Sequence, residues 1–211
     1  DCRAMWVSTF HSLCARLLRR EAHHIGLSRD FTIYDSADQQ AVIKQLLRDY
    51  HMDDATYQPR MVLGRISAAK NRMEGPESFT DTWNPRDKEI GRLYAGYLKA
   101  LADASAVDFD DLLLKTVELF DRVPAVRERY ARRFRFAMID EYQDTNRPQY
   151  LLVKQHVSVH GNLCVVGDPD QSIYKWRGAD VNNILDFERD FPDAVTVKLE
   201  RNYRSTQVIL D

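Results

Sequence analysis

The sequence predicts an α/β fold in which a parallel sheet flanked by helices is interrupted by an inserted all-helical subdomain. Three observations carry this reading. An apolar run, Met5 to Ser8, turns through "TFHS" into a helical pattern; residues from about Gly26 to Ala106 show helical periodicity without a convincing strand; and from Asp108 onward short apolar runs alternate with amphipathic helices. Alternation of that kind is the order a parallel sheet requires, because each parallel connection must cross over through a helix.

Element by element, the run Met5 to Ser8 reads as a short strand. The helix after it carries Leu13, Leu17 and Leu18 on one face, with Arg16, Arg19 and Arg20 elsewhere. In the insert, a first helix starts at Ser36 with Gln39 three residues on, a capping box, and repeats Val42, Ile43, Leu46, Leu47 and Tyr50 at helical spacing. A second helix runs from about Pro59 to Arg72, and a third begins at Asn84-Pro85, an N-cap with proline at the first helical position, and ends near Ser105. Asp108 then caps a helix bearing Leu112, Leu113, Leu114 and Val117, and a short helix from Pro124 precedes the run "FRFAMIDE". Phe134 to Ile139 reads as a buried strand, followed by a helix from about Pro148 to His156 and a strand at Leu163 to Val166. A helix near Asn182 to Arg189 and a strand at Val195 to Leu199 complete the pattern.

Bulk properties narrow the function classes. At 211 residues and 44% hydrophobic content the chain can bury a real core, as one large domain or two small ones. Thirty basic against 32 acidic residues give a net charge of -2, so a nucleic-acid surface has to be a local patch. Cys2, Cys14 and Cys164 are odd in number and form no C-x-x-C, which reads as packed thiols in a reducing interior. Without an apolar span of roughly 18 residues or a signal-like start, a soluble cytoplasmic protein is expected, with no membrane partner.

Two acids close the run "FAMIDE". Asp140 and Glu141 stand where the chain leaves the sheet, the end at which open α/β sheets bind ligands. Strand side chains alternate, so Asp140 is placed to hold Mg²⁺ through water while Glu141 reaches a second site and orients an attacking water. An ordinary acidic strand end has the same two letters, and D-E alone does not separate the two readings.

The next predicted strand leads into "VVGDPDQSIYKWRGA", Val165 to Ala179. In a parallel sheet this loop lies beside Asp140 and Glu141. Gln171 both donates and accepts hydrogen bonds, which suits a sensor of a terminal phosphate or of the attacking water. Tyr174 and Trp176 offer flat faces on which a nucleic-acid base gains on the order of 1 to 3 kcal/mol regardless of identity. Lys175 and Arg177 suit phosphates, so one loop could touch nucleotide at one end and a nucleic-acid strand at the other. For Y-x-W alone, aromatics packed in a core remain the competing reading. Further on, "LERNYRS" places Tyr203 to stack on a purine and Arg204 to neutralise a γ-phosphate, a role worth roughly 10³ to 10⁵ in rate. A surface ion pair at a helix start is the alternative for that arginine.

"STFHS", "DFDDLL", "IDEYQDTN", "VVGDPDQSIYKWRGA" and "LERNYRS", in this order, resemble the motor segment of superfamily 1 DNA helicases of the UvrD, PcrA and Rep group, over essentially the whole chain. The resemblance implies a RecA-like parallel sheet of the P-loop NTPase type with a helical insert. Residues 1–25 and 107–201 would belong to domain 1A, 26–106 to subdomain 1B and 202–211 to the start of domain 2A. It implies ATP and Mg²⁺ as cofactors, 3′ to 5′ translocation on single-stranded DNA, and unwinding at junctions with duplex, in repair, replication or recombination, with repair or replication proteins as further partners. By motif position, Asp140 would hold Mg²⁺, Glu141 would activate water, Gln171 would contact the γ-phosphate, Tyr203 would stack on adenine and Arg204 would act as the arginine finger. Thr9, Phe10, His11, Tyr174, Trp176 and Arg177 would contact DNA, with Lys70 and Asn71 of "SAAKN" as weaker candidates. The departure from the pattern is that no G-K-[ST] occurs, so the phosphate-cradling loop is absent and the chain by itself is expected not to hydrolyse ATP.

Other features point less far. His23-His24 has no second ligand pair at metal spacing and reads as solvated histidines, and "RERYARRFR", Arg127 to Arg135, as a solvated helix face rather than a phosphate-binding stripe. Two other classes compete with the helicase reading: a DNA-binding or protein-interaction module without a working nucleotide site, and a Mg²⁺-dependent nuclease built on Asp140, Glu141 and Asp144. Nothing in the nuclease reading requires Gln171, Trp176 or Arg204.

Overall fold

A computed structural model describes residues 5–80, 83–173 and 178–201. Among them helix α1 spans Phe10–Glu21, and a single turn of 3₁₀ helix, Ala22–Ile25, closes on Gly26 in the left-handed region at φ 77°. Strand β1, Thr32–Ile33, leads to α2, Ser36–Asp49, α3, Pro59–Asn71, and α4, Pro85–Asp103. Strand β2, Ala106–Val107, is followed by α5, Phe109–Arg122, and α6, Pro124–Arg133. Then come β3, Ala137–Ile139, α7, Arg147–His156, β4, Leu163–Val165, and two short helices, α8, Asn182–Leu185, and α9, Phe187–Asp190.

Local signals explain most of these boundaries. The Asp108 carboxylate accepts from Asp111 N at 2.8 Å while Asp111 Oδ2 accepts from Asp108 N at 3.2 Å, so each satisfies a donor that the helix start would leave open. Asn146 and Gln149 do the same for α7, and Asn84 with Pro85 starts α4. The box expected at Ser36 and Gln39 lies one residue earlier: Asp35 Oδ1 accepts from Ala37 N at 2.7 Å and Asp38 N at 2.9 Å, and Asp38 returns the bond. An ionised carboxylate accepts more strongly than a serine hydroxyl, which decides the register.

Two buried clusters organise the chain. The first gathers Leu17, Leu18, Leu113, Phe120, Tyr130 and Leu152 from α1, α5, α6 and α7. The second gathers Ile43, Val62, Ile66, Leu93, Tyr97 and Leu101 from α2, α3 and α4. Each fully buried aliphatic or aromatic side chain contributes about 1.5 to 3 kcal/mol of transfer free energy. Strands β1 and β2 pair in parallel, Thr32 with Ala106 and Ile33 with Val107, so the helical stretch between them starts and ends at one place. Sequence reading assigned no strand here, because two residues are too few to show a period.

Strands β3 and β4 also pair in parallel, Ala137 with Leu163 through Ile139 with Val165. The sheet is smaller than expected. Phe134 to Ile139 was expected as one buried strand, yet only its last three residues are extended in the ladder, with Phe136 82% and Met138 75% exposed. Met5 to Ser8 and Val195 to Leu199 form no strand, and Val195 is 88% exposed. Neither segment is paired in a strand ladder among the described residues, and an apolar run without a ladder partner gains no strand geometry. The helix expected from Asn182 to Arg189 is broken at Asp186. Cys14 is the packed thiol anticipated, whereas Cys164 is exposed on β4.

The arginine run on α6 is partly anchored: Arg129 pairs with Glu21 at 2.6 Å, and the Arg133 guanidinium lies 5.2 Å from the Trp6 ring, which Arg16 covers from 3.7 Å. No described helix is long and apolar enough to cross a membrane.

On α7, His156 stacks on Phe134 with ring centroids 5.4 Å apart. Burial, with the nearby His160 imidazole, lowers its pKa to about 4. A histidine depressed in the folded state takes up its proton first in the unfolded chain, so stability is full above the ordinary histidine pKa and is lost as pH falls toward the folded value. Thermal melts between about pH 7 and pH 4 should show a loss on the order of 2 kcal/mol that His156→Phe removes. An identical pH slope in the variant would assign the loss to other groups.

Candidate active site

The two parallel strands end side by side, and their hydrogen bonding continues one step past the ladder: Val166 N donates to Ile139 O at 2.8 Å and Tyr142 N to Val166 O at 3.0 Å. Asp140 and Gly167 therefore leave the sheet together. Glu141 takes a left-handed conformation, φ 51° and ψ 43°, and its N–H donates to Asp140 Oδ1 at 2.9 Å. A residue with a Cβ pays on the order of 1 to 3 kcal/mol for such a backbone, a strain that concentrates at functional sites. Both Asp140 and Glu141 are exposed at this strand end.

Gln143, in the 3₁₀ turn Tyr142–Asp144, connects this acidic end to the following loop. Its side chain is buried, with the residue 1% exposed. Nε2 donates to Glu141 Oε2 at 2.7 Å, and Oε1 accepts from Asp168 N at 3.1 Å. Asp168 Oδ2 in turn accepts from Gln171 Nε2 at 2.7 Å. Three hydrogen bonds thus run from the Glu141 carboxylate to the Gln171 amide. Gly167 packs closely here: a Cβ would lie 2.5 Å from Gln143 Oε1 and 2.8 Å from Ile184 Cδ1, so a larger residue would have to push the Gln143 amide aside. Gln143→Leu leaves the partly buried Asp168 N–H without its acceptor, and denaturant melts should show a loss of about 1 kcal/mol. An unchanged midpoint would mean that the amide is not holding the loop.

Sequence reading assigned Gln143 no role, although a neutral amide set between Glu141 and Asp144 just past a strand was a visible signal. The exposed oxygens of Asp140 and Glu141 fit Mg²⁺, a hard cation that takes one or two protein carboxylates and keeps its remaining positions for water and phosphate. No cluster of three or more metal-ligating side chains occurs among the described residues.

The DNA-side candidates fall in several places. Thr9 caps α1, its Oγ1 accepting from Ser12 N at 3.3 Å, and Phe10 packs onto the first core. His11, its pKa lowered by burial, meets Phe109 edge-on with centroids 6.1 Å apart. Thr9, Phe10 and Ile139 share the lining of an apolar cavity of about 150 Å³, which places the early motif next to strand β3. Tyr174, Trp176, Arg177, Tyr203 and Arg204 lie outside the described residues.

Lys70 and Asn71, expected at a DNA strand, face inward instead. Lys70 is 1% exposed, and Nζ donates to Asp108 Oδ2 and Asp111 Oδ1, both at 2.7 Å. Tyr97 OH donates to the same Asp108 oxygen at 2.9 Å. Burial opposes the ammonium charge, but Asp111 and Asp108 outweigh it and raise the Lys70 pKa. Its donors face the α5 cap rather than solvent. Sequence periodicity could not reveal this, because the partners are 38 and 41 residues away.

An acidic turn at the joined carboxyl ends of parallel strands, tied by a buried amide to the loop beyond the second strand, defines the class: a mixed α/β protein with a candidate ligand site at the carboxyl ends of its strands. The chain belongs to the UvrD/REP helicase N-terminal domain family, whose family model matches residues 1–192. It is 52% identical over 207 residues to the ATP-dependent DNA helicase PcrA of Bacillus subtilis, covering 98% of this chain and 28% of that protein. It is 50% identical over 208 residues to PcrA of Staphylococcus aureus, again over 98% of this chain and 28% of the relative. Against PcrA of Staphylococcus epidermidis, identity is 49% over 212 residues, 100% of this chain and 29% of that helicase. The chain thus spans less than a third of the length of these curated relatives.

Proposed function

We propose that this chain is part of the motor of an ATP-dependent DNA helicase that moves 3′ to 5′ on single-stranded DNA and unwinds duplex at junctions. The observation that carries the reading is the hydrogen-bonded path from Glu141 through Gln143 and Asp168 to Gln171. It joins the residue proposed to activate water to the one proposed to sense the γ-phosphate, at the start of the loop proposed to touch DNA. Family membership and the helicase relatives support the same reading. RecA-like architecture is part of it, with residues 26–106 as the helical subdomain 1B, 1–25 and 107–201 as domain 1A, and 202–211 opening domain 2A.

In this mechanism Asp140 would hold Mg²⁺, and the chemistry supplied there would be neutralisation of charge on the phosphoryl group of ATP. Glu141 accepts hydrogen bonds from, and orients, the attacking water, and its carboxylate is kept in place by Gln143. Tyr203 stacks on the adenine and Arg204 meets the γ-phosphate. Tyr174, Trp176 and Arg177, with Thr9, Phe10 and His11, hold the single strand, and the motor works in the cytoplasm with repair or replication proteins. The 211 residues contain no G-K-[ST] phosphate cradle, so the experiment needs the full-length protein. ATP hydrolysis should rise when single-stranded DNA is added, and Trp176→Ala should weaken single-strand binding with little sequence preference. No turnover with or without DNA in a folded protein would leave a binding module as the reading, and Mg²⁺-dependent DNA cleavage without ATP would leave a nuclease.

A further inference from the structure

Asn71 ends α3 and is 9% exposed. Its carboxamide is engaged with three segments. Nδ2 donates to Ser67 O at 2.8 Å on its own helix and to Asp110 Oδ1 at 3.3 Å on α5, while Oδ1 accepts from Asn146 Nδ2 at 2.5 Å. Asn146 caps α7 immediately after the acidic turn.

The same side chain lies directly under Gly178. A Cβ at Gly178 would sit 2.9 Å from Asn71 Cβ and 3.2 Å from its Cγ, and Gly178 already has φ +82°, so the close approach and the backbone both require glycine. Just beyond, Asp180 N donates to Thr145 O at 3.0 Å, and Asn183 Nδ2 donates to Thr145 O at 2.9 Å and to Oγ1 at 3.1 Å. The turn from Asp140 to Asn146 is therefore bonded to the chain on both sides of residues 174–177: through Gln143 to Asp168 before them, and through Thr145 to Asp180 after them. Asn71 joins the second of these anchorages to the helical α2–α4 unit. Lys70, one residue earlier, is locked onto Asp108 and Asp111, so the end of α3 has little freedom to slide.

We infer that Asn71 is a positioning residue: it fixes Gly178 against Asn146 and so sets the acidic turn relative to the DNA-side loop, making the helical unit a participant in coupling DNA occupancy to ATP hydrolysis. The inference rests on the helicase reading above. Alanine removes the amide and leaves Asn146 Nδ2 without its acceptor. Aspartate would set a carboxylate against Asp110, whose own pKa burial raises.

Two measurements on the full-length protein test it. In hydrogen exchange without ligands, Asn71→Ala should speed exchange of the amides in both 142–146 and 178–184. In steady-state hydrolysis, the kcat with single-stranded DNA should fall roughly ten-fold, the scale expected when reacting groups are displaced by a fraction of an ångström. KM for ATP should stay within about two-fold, because Asn71 bonds Ser67, Asp110 and Asn146 and none of these is proposed to meet ATP. Gly178→Ala, which strains the same contact from the other side, should lower the DNA-stimulated rate likewise. A merely structural role would lower the melting temperature while leaving the ratio of DNA-stimulated to basal rate at the wild-type value, and that ratio, or unchanged exchange in both segments, overturns the inference. A wild-type protein with no DNA stimulation removes the helicase reading and this inference together; a stimulated wild type with a normal Asn71→Ala ratio removes the inference alone.

Discussion

Glu141→Gln is expected to lower ATP turnover by the full-length protein by at least about 10²-fold, the lower end of what a positioned general base contributes. The substitution isolates the chemistry. Glutamine keeps the length of the side chain and retains a carbonyl oxygen for the Gln143 Nε2–H that now reaches Glu141 Oε2 at 2.7 Å. The left-handed backbone at φ 51° costs either residue about the same, so the melting point should hardly move. Binding of a non-hydrolysable ATP analogue and of single-stranded DNA should persist. Turnover within a few-fold of wild type would show that the attacking water is oriented elsewhere and that the exposed carboxylate is only a strand-end acid.

The largest expected effect on stability is Lys70→Met. A methionine fills the space of the stem, yet Asp108 and Asp111 are then buried without their cation, and breaking a buried pair from one side costs about 3 to 5 kcal/mol. The loss extends beyond Coulomb attraction, because the two acids also form the cap of α5 and Asp108 accepts from Tyr97 OH at 2.9 Å. The pH dependence identifies the cause. Burial already raises the Asp111 pKa, with Lys70 working against that rise; without the lysine the folded state holds a proton on Asp111 that the unfolded chain releases. A carboxyl whose folded pKa is raised contributes stability below it that is lost as pH rises, so the deficit against wild type should be smaller near pH 5 than near pH 8. A loss under about 1 kcal/mol, or a deficit independent of pH, would contradict the buried ion pair.

Helices were legible in this sequence because their signals are local. Pro59, Asn84-Pro85, Asp108 with Asp111 and Pro124 each mark a start within a few residues, and the structure begins helices at those places. Strands were not. Met5 to Ser8 and Val195 to Leu199 carry the same apolar texture as Leu163 to Val165, and only the last of these has a partner, Ala137–Ile139, to hydrogen-bond. The strand pair Thr32–Ile33 with Ala106–Val107 escaped notice for the converse reason, two residues joined across more than seventy.

Sequence by itself determined the family resemblance, the order of the motifs, the helix starts and the placing of Asp140 and Glu141 at a strand end, all of them properties of neighbouring residues. Only the tertiary structure decided that Lys70 and Asn71 turn inward, that Gln143 joins Glu141 to Asp168, and that Gly178 lies against α3. Those outcomes depend on partners 25, 38, 41 and 75 positions away brought within hydrogen-bonding distance, and on the close approach of Gly178 to Asn71, when the two apolar cores close. A buried polar side chain is held by whichever complementary group the packing presents, and no local pattern specifies that group.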